Sequence, residues 1–168
     1  STAYAKEKKA HDIICEYVEY EEGTYDQTAY SAVMQKKTVC AGYAKLYSML
    51  TNAAGLETVS VTSATHGWNR TKLGNQWYNV DLTWDDGTPI SYQFFNKSDA
   101  TMEKYDGSSR ESHTQNHYYD GVAPGCESDY GASVTVVDAE QIHADTATVV
   151  LDLVNNQSGQ IRTSFVPA

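Results

Sequence analysis

The spacing of apolar residues in the first third of the chain predicts helices. Residues 3–20 carry an apolar stripe at helical spacing beside lysine and glutamate, which is typical of an amphipathic helix. A short helical piece is expected over residues 28–34. A further helix is expected from Cys40 onward, with apolar positions at Tyr43, Leu46, Tyr47 and Leu50. We expect Thr38 to cap this helix and Gly55 to end it.

Alternation of apolar and polar residues predicts strands in the middle of the chain. One strand is expected over residues 59–62, and residues 65–73 and 76–84 form an expected hairpin around Gly74-Asn75. Another strand is expected over residues 92–96. From residue 97 to residue 131 the chain is polar with little periodicity, and we expect a long loop there.

The C-terminal part of the chain alternates again and predicts three antiparallel strands, over residues 133–137, 146–154 and 161–166. At 168 residues the chain has the size of one domain with a small addition. We therefore expect a main domain over residues 1–131. Residues 132–168 either complete its sheet or begin a small β module.

Three residues within these elements have side chains suited to nucleophilic catalysis. Cys40 lies at a helix start, where the positive end of the helix dipole lowers the pKa of a thiol and makes thiolate available. If the hairpin turn is tight, residue 73 faces residue 76, and His66 lies diagonally from Asp81 on the same face, roughly 7–8 Å away. Asp81 could then fix the imidazole tautomer. A one-residue slip would send Asp81 to the opposite face, so the arrangement depends on the turn.

Short motifs around these three residues resemble those of the bacterial transglutaminase-like domains. They are GYA after Cys40, HGWN from His66, WYNVDLTWDDG around Asp81, YDQTAYSA over residues 25–32 and FFNKSD over residues 94–99. The resemblance extends roughly over residues 11–102. Ala41 and Gly67 depart from it, because bulkier residues are common there in the family, and this affects the shape of the pocket.

The resemblance implies an α+β, papain-like fold, with N-terminal helices and a catalytic cysteine at a helix N-terminus packed on an antiparallel sheet. It also implies that Cys40 is the nucleophile, His66 the base and Asp81 the residue that orients the base. It supports Trp68 as an aromatic wall beside the base, while the predicted register places Trp84 on the opposite face.

An oxyanion hole needs one donor besides the backbone N–H of the nucleophile. Tyr30 and Gln35 are candidates only because they precede Cys40 closely in the sequence. Either residue could equally be a packed ring or a surface amide.

A Cys-His-Asp set predicts acyl chemistry on peptide or protein amides through a thioester intermediate. Resolution by water would make the protein a cysteine peptidase or amidohydrolase, which we favour because no element for a second substrate is visible. Resolution by an amine would give transglutaminase-type acyl transfer. A catalytically inactive module that binds a peptide or a cell-wall strand is the remaining hypothesis.

The net charge of the chain limits the classes of partner that it can bind. A net charge of −10 repels phosphate backbones and anionic lipid, and no apolar run is long enough to span a membrane. We therefore expect a peptide or protein substrate, no nucleic acid and no membrane span, while the sequence does not indicate an oligomeric state. The resemblance is to domains common in secreted or surface-attached bacterial proteins, which implies an extracellular or cell-surface location.

The remaining candidate ligands do not form a convincing metal site. His113 and His117 have H-x3-H spacing, but they lack helical context and a nearby glutamate, so we expect two loop histidines and no zinc. His11 and Cys15 lie one helical turn apart without a partner motif. No metal and no cofactor are expected. Cys15 and Cys126 could form a disulfide in an oxidising compartment, or remain a buried helix residue and a loop thiol.

Overall fold

The computed structural model describes residues 2–106, 113–114 and 124–131, together with the backbone of residues 148–154 and 160–166. The chain divides into two compact units, residues 1–128 and residues 129–168. Each unit is described by itself below.

The first unit begins with two helices separated by a pair of very short strands. Helix α1 spans Ala3–Tyr17, and the hydroxyl of its N-cap residue Thr2 accepts the N–H of Ala5 at 3.1 Å. The helix is shorter than predicted because the backbone turns extended at Val18. Strands β1 and β2 pair in parallel, and a π-helical turn lies between them. Their ranges are Glu19–Tyr20, Lys37–Thr38 and, for the turn, Ser31–Gln35.

Helix α2 spans Cys40–Ala53 and packs on the sheet and on α1. Its end agrees with the prediction, because Gly55 follows with a φ of +85°, a conformation that glycine adopts without steric penalty. The predicted cap at Thr38 is wrong. The buried Thr38 hydroxyl donates to the carbonyl of Asp26, and the N-cap residue is Val39, which makes no side-chain cap.

A four-stranded antiparallel sheet forms the other layer, in the order β3-β4-β5-β6. The strands are Glu57–Thr62, Gly67–Leu73, Gln76–Val80 and Phe95–Lys97. Leu73 faces Gln76 across the turn, which is the register that the sequence predicted. Gly74 makes the tight turn possible with a φ of +62°. The alternation of the hairpin therefore places its side chains as expected up to residue 80.

The second arm of the hairpin is shorter than the predicted strand over residues 76–84. Strand β5 ends at Val80, and helix α3 follows over Leu82–Asp85. Asp81 caps α3 by accepting the N–H of Thr83 at 2.9 Å. Aspartate is a preferred N-cap residue, and this local preference overrides the apolar alternation that continues in the sequence. The prediction of strand beyond residue 80 is wrong for that reason.

A helix also lies within the region that was predicted to be a loop. Helix α4 spans Asp99–Asp106, and the hydroxyl of Ser98 accepts the N–H of Thr101 at 3.1 Å. Only Met102 and Asp106 are buried within this helix, so its apolar periodicity is too weak to read from the sequence.

The apolar core of the first unit has two parts. One part joins α1 and α2 to strand β5 and includes Ile14, Tyr47 and Val80. The other part joins β3, β4 and β5 to helix α4 and includes Val61, Trp68 and Met102. Helices pack against the antiparallel sheet in both parts, and the predicted α+β class is confirmed.

The second unit contains an antiparallel hairpin of β7, Thr148–Val154, and β8, Gln160–Val166. These strands correspond to two of the three strands predicted at the C-terminus. The third, over residues 133–137, lies outside the described residues. In the part of the chain that the structure describes, no helix is both long and apolar enough to cross a membrane.

Candidate active site

Cys40 is the first residue of α2, and its side chain is partly exposed. The turn before it is packed closely against the helix. A Cβ at Gly42 would lie 1.7 Å from the Thr38 hydroxyl oxygen, so only glycine fits at this position. The glycine of the GYA motif thereby allows the buried Thr38 to hold the chain against the start of α2, which places the Cys40 thiol at the N-terminal end of the helix.

The Cys40 thiol contacts the His66 imidazole and two backbone amides. The hydrogen bond with His66 is the main reason that the pKa of Cys40 is lowered, and it outweighs the opposing effect of burial. The backbone N–H groups of Gly67 and Ala41 also donate to the sulfur. These donors stabilise the thiolate, which is the nucleophilic form of cysteine.

His66 connects Cys40 to Asp81. Its Nε2 lies 2.5 Å from Asp81 Oδ2, which leaves Nδ1 as the nitrogen available to the thiol. Burial acts to lower the pKa of His66, but the hydrogen bonds with Asp81 and Cys40 outweigh burial and raise the pKa to about 10. The lowered pKa of Cys40 and the raised pKa of His66 together favour a thiolate–imidazolium pair.

Asp81 is buried, and each of its carboxylate oxygens is hydrogen-bonded. Oδ1 accepts the N–H of Thr83, and Oδ2 accepts both from His66 and from His113 at 2.9 Å. Burial alone would raise the pKa of Asp81, but the hydrogen bonds from His113 and His66 lower it to about 2. The structure therefore brings Cys40, His66 and Asp81 into one hydrogen-bonded chain with Asp81 ionised.

Two tryptophans flank the His66 ring. Trp68 lies nearly parallel to it, with ring centroids 6.1 Å apart, and donates its Nε1–H to Asn79 Oδ1 at 2.8 Å. Trp84 lies 5.8 Å away on helix α3. The prediction that Trp84 occupies the opposite face is wrong, because the chain leaves the strand at Asp81 and returns Trp84 toward the imidazole.

The two side chains proposed for the oxyanion hole make other contacts. Tyr30 is exposed, and its ring packs edge-on against Tyr25 at 6.4 Å. Gln35 is exposed, and its amide oxygen accepts the Ser31 hydroxyl at 3.0 Å. Neither of these contacts involves Cys40.

Residues 1–82, which include Cys40, His66 and Asp81, match the model of the transglutaminase-like superfamily. The chain contains a transglutaminase-like domain. The resemblance that the motifs indicated is thereby confirmed at the level of the family.

The domain is also similar to solved structures. A candidate cysteine protease from Cytophaga hutchinsonii is 24% identical, with a TM-score of 0.44, over 48% of this chain and 31% of the other. A TGase is 16% identical, with a TM-score of 0.45, over 49% of this chain and 27% of the other. The matched region thus spans less than a third of the length of either protein. No curated protein matches the chain significantly.

Two residues after the matched region, Asp106 and His113, extend the hydrogen bonds of Asp81, although the sequence did not indicate them as site residues. His113 is buried and lies against Asp81, and its Nδ1 contacts Asp106 Oδ1. The sequence showed only an isolated H-x3-H spacing in a polar stretch, and Asp106 carried no signal. His117 lies outside the described residues.

His113 also belongs, with His66 and Asp81, to the one group of potential metal ligands among the described residues. The ligating atoms of His66, Asp81 and His113 lie within 4.8 Å of one another. However, both imidazoles already contact the same Asp81 oxygen at hydrogen-bonding distances of 2.5 and 2.9 Å. The arrangement therefore fits a chain of hydrogen bonds, and the absence of a metal cofactor stays a prediction.

The other two cysteines of the domain differ from Cys40. Cys15 and Cys126 are free and buried, and burial raises the pKa of both thiols, that of Cys126 to about 12. Neither thiol is placed to act as a nucleophile.

His11 is the other candidate ligand on α1. Its imidazole contacts Asp12 and Asp85 at 3.2 and 3.3 Å, so its neighbours are carboxylates.

Proposed function

We propose that this transglutaminase-like domain is a cysteine-dependent enzyme that performs acyl chemistry on peptide or protein amides. Cys40 would be the nucleophile, His66 the general acid and base, and Asp81 the residue that orients His66. The hydrogen-bonded chain from a partly exposed thiol through an imidazole to a buried carboxylate is the observation that carries this proposal.

The first half of the reaction follows from the protonation states. The Cys40 thiolate attacks the amide carbonyl carbon and forms a C–S bond, while the negative charge moves to the carbonyl oxygen. The positive end of the α2 helix dipole would stabilise the charge on this oxygen. His66 then donates its proton to the amide nitrogen, the C–N bond breaks, and an amine leaves behind a thioester on Cys40.

The group that attacks the thioester decides the reaction. Neutral His66 can take a proton from water, which yields a carboxylic acid and regenerates the thiol, and we favour this peptidase or amidohydrolase reaction. Transfer to an amine is the second candidate. It is supported by Trp68 and Trp84, which flank His66 and limit the access of water to that side of the imidazole.

The pH dependence of Cys40 alkylation tests this proposal directly. Iodoacetamide is added to the native chain from pH 4 to pH 9, and mass spectrometry follows each cysteine separately. We expect Cys40 to react at a constant rate well below the pKa of an ordinary thiol, about 8.5, and this plateau to disappear in His66→Ala. Cys15 and Cys126 are internal controls that react slowly in the folded protein.

Equally slow alkylation of all three cysteines would overturn the proposal and favour a module that binds peptide or cell-wall strands without catalysis. If the plateau is present, peptide amides are incubated with and without a primary amine, with Cys40→Ala as the inactive control. Acid as the main product supports hydrolysis, while an amine-dependent new amide supports acyl transfer.

A further inference from the structure

His113 bridges two buried carboxylates beside the proposed catalytic residues. Its Nε2 lies 2.9 Å from Asp81 Oδ2, and its Nδ1 contacts Asp106 Oδ1. The backbone N–H of His113 also donates to Asp106 Oδ2 at 3.0 Å. Asp106, the last residue of helix α4, is thereby connected through the His113 imidazole to Asp81, which contacts His66.

The contacts of His113 indicate its charge. Each ring nitrogen faces a carboxylate oxygen, and a neutral imidazole has only one N–H to donate. The doubly protonated ring donates to both carboxylates and places one positive charge between two negative ones. An imidazolium at His113 is therefore the form that satisfies every hydrogen bond of the bridge.

Aromatic rings surround His113 and set the plane of its ring. Phe94 stacks on it with centroids 5.5 Å apart, and Trp84 and Trp68 meet it edge-on at 4.9 and 5.2 Å. Aromatic faces attract a cation, and close packing on several sides restricts rotation of the imidazole. His113 is 4% exposed, so water does not compete for its hydrogen bonds.

We propose that His113, held by Asp106, is a positioning residue that keeps the Asp81 carboxylate oriented toward His66. The inference rests on the proposed function, because it concerns the same hydrogen-bonded chain. Oδ2 of Asp81 accepts from both imidazoles, so His113 also shares the negative charge that stabilises the His66 imidazolium.

The proposal predicts how the pH profile responds when the charge of His113 is removed. The titratable groups that face this cluster are Asp81, His66 and Cys40 together with Asp106 on α4, and Cys15 on α1 is within electrostatic reach of Asp81. Loss of a nearby cation makes protonation of every remaining group easier. The alkylation profile has two limbs, one where Cys40 loses its proton and one where His66 loses its proton. Both limbs should therefore move to higher pH, by about one unit.

Two variants separate the charge of His113 from its contact with Asp81. The amide nitrogen of glutamine reaches the position of Nε2, so His113→Gln keeps a donor to Asp81 without the charge. The amide nitrogen of asparagine reaches the position of Nδ1, so His113→Asn keeps a donor to Asp106 and loses the contact with Asp81. We expect kcat to fall about 10- to 100-fold in His113→Asn with KM little changed, and His113→Gln to recover most of this loss.

The measurements are the Cys40 alkylation profile and the steady-state kinetics of a peptide amide for the full chain and both variants. Trp77→Phe is the matched control, because it trims a ring in the same core cluster and leaves every charge and the ring contacts of His113 in place. It should lower the Tm without moving either limb of the profile. If neither His113 variant folds, Asp106→Asn tests the same connection, and it should lower kcat with KM little changed.

Two different results would overturn the inference. If the parent chain shows the alkylation plateau and the folded His113 variants keep both its limbs and its kcat, His113 only fills space and the proposed function survives. An unchanged kcat in folded Asp106→Asn has the same meaning. If the parent chain itself shows no plateau, the proposed function fails, and the role of His113 fails with it.

Discussion

The short helix α3 has a buried aspartate at each end, and each aspartate contacts a histidine. Asp81, the N-cap residue, lies 2.5 Å from His66 Nε2, and Asp85, the last residue, lies 3.3 Å from His11 Nε2. Both pairs consist of the same two residue types, and they lie one helical turn apart. Of the two histidines, His66 contacts the Cys40 thiol.

The difference between the pairs lies in their surroundings. His66 contacts the partly exposed Cys40, whereas His11 is fully buried and its second nitrogen faces Asp12. Asp85 also accepts the backbone N–H of Phe94 at 3.0 Å, so the second pair holds α1 and the chain after α3 together. A buried His–Asp pair is therefore a catalytic candidate only where a nucleophile reaches both the imidazole and solvent.

Neutralising each aspartate in turn tests whether the two pairs differ in function. Asp81→Asn should lower kcat by about 10⁴-fold, because an amide in place of the carboxylate favours the wrong imidazole tautomer. The matched variant Asp85→Asn should leave kcat within a few-fold of the parent value. Steady-state kinetics on a peptide amide measure both. Equal losses in the two variants would show that the pairs do not differ in function.

The free energy of unfolding of Asp85→Asn tests whether the second pair has a structural role. Asp85→Asn removes a buried carboxylate from His11 and should lower the free energy of unfolding by about 4 kcal/mol. Urea denaturation followed by fluorescence measures this loss, and the Cys40 alkylation profile should not move. A shifted profile in a folded Asp85→Asn variant would mean that the two pairs are electrostatically coupled through α3.

A third prediction concerns Glu7, which lies near His11. Glu7 shows how burial changes the pKa of a carboxyl group that has no strong cationic partner. Burial raises the pKa of Glu7 from 4.5 to about 7, although Asn96 and Tyr47 hydrogen-bond to it. The protonated carboxyl therefore stabilises the fold below pH 4.5, and this contribution is lost as the pH rises through 7. Glu7→Gln should raise the free energy of unfolding by about 3 kcal/mol at pH 8.

The pH dependence of this effect is its control. The gain in Glu7→Gln should vanish near pH 4, where Glu7 is protonated in both the folded and the unfolded chain. A gain of equal size at pH 4 and pH 8 would contradict the assignment, because it would come from packing and not from the ionisation of Glu7.

The smallest expected effect concerns the wall beside His66. Trp68→Phe keeps an aromatic ring there and removes the hydrogen bond to Asn79, which should cost about 1 kcal/mol of stability and change kcat by a few-fold at most. Trp77→Phe, at a tryptophan elsewhere in the same core cluster, is the control. A loss of kcat above tenfold in Trp68→Phe alone would show that the indole N–H positions His66.

Much of the candidate site could be predicted because its parts are local. The two-residue turn at Gly74-Asn75 sets the pairing of Leu73 with Gln76, and the pairing keeps His66 and Asp81 on one side of the hairpin. The helix start at Cys40 follows from apolar spacing. These features depend on neighbouring residues in the sequence, and local pattern is enough to predict them.

Other features are determined only when distant segments meet. The end of β5 at Val80 depends on the competition between strand pairing and an aspartate cap, and the sequence pattern favoured the strand. His113 lies 32 residues after Asp81, in a polar stretch without periodicity, so no local rule predicts their contact. The burial of Glu7 and His11 likewise depends on which residues α2, α3 and β6 bring against α1.

The order of the chemistry along the chain, from cysteine to histidine to aspartate, the helix start at Cys40 and the register of the hairpin were therefore set by the sequence alone, because turn geometry and apolar period act over a few residues. The number of partners around each charge was decided by the tertiary structure. Burial and hydrogen-bond partners determine whether a carboxylate or an imidazole is ionised, and both are properties of the space around a side chain. For that reason the sequence predicted Cys40, His66 and Asp81, and only the structure showed that His113 and Asp106 extend the same hydrogen-bonded chain.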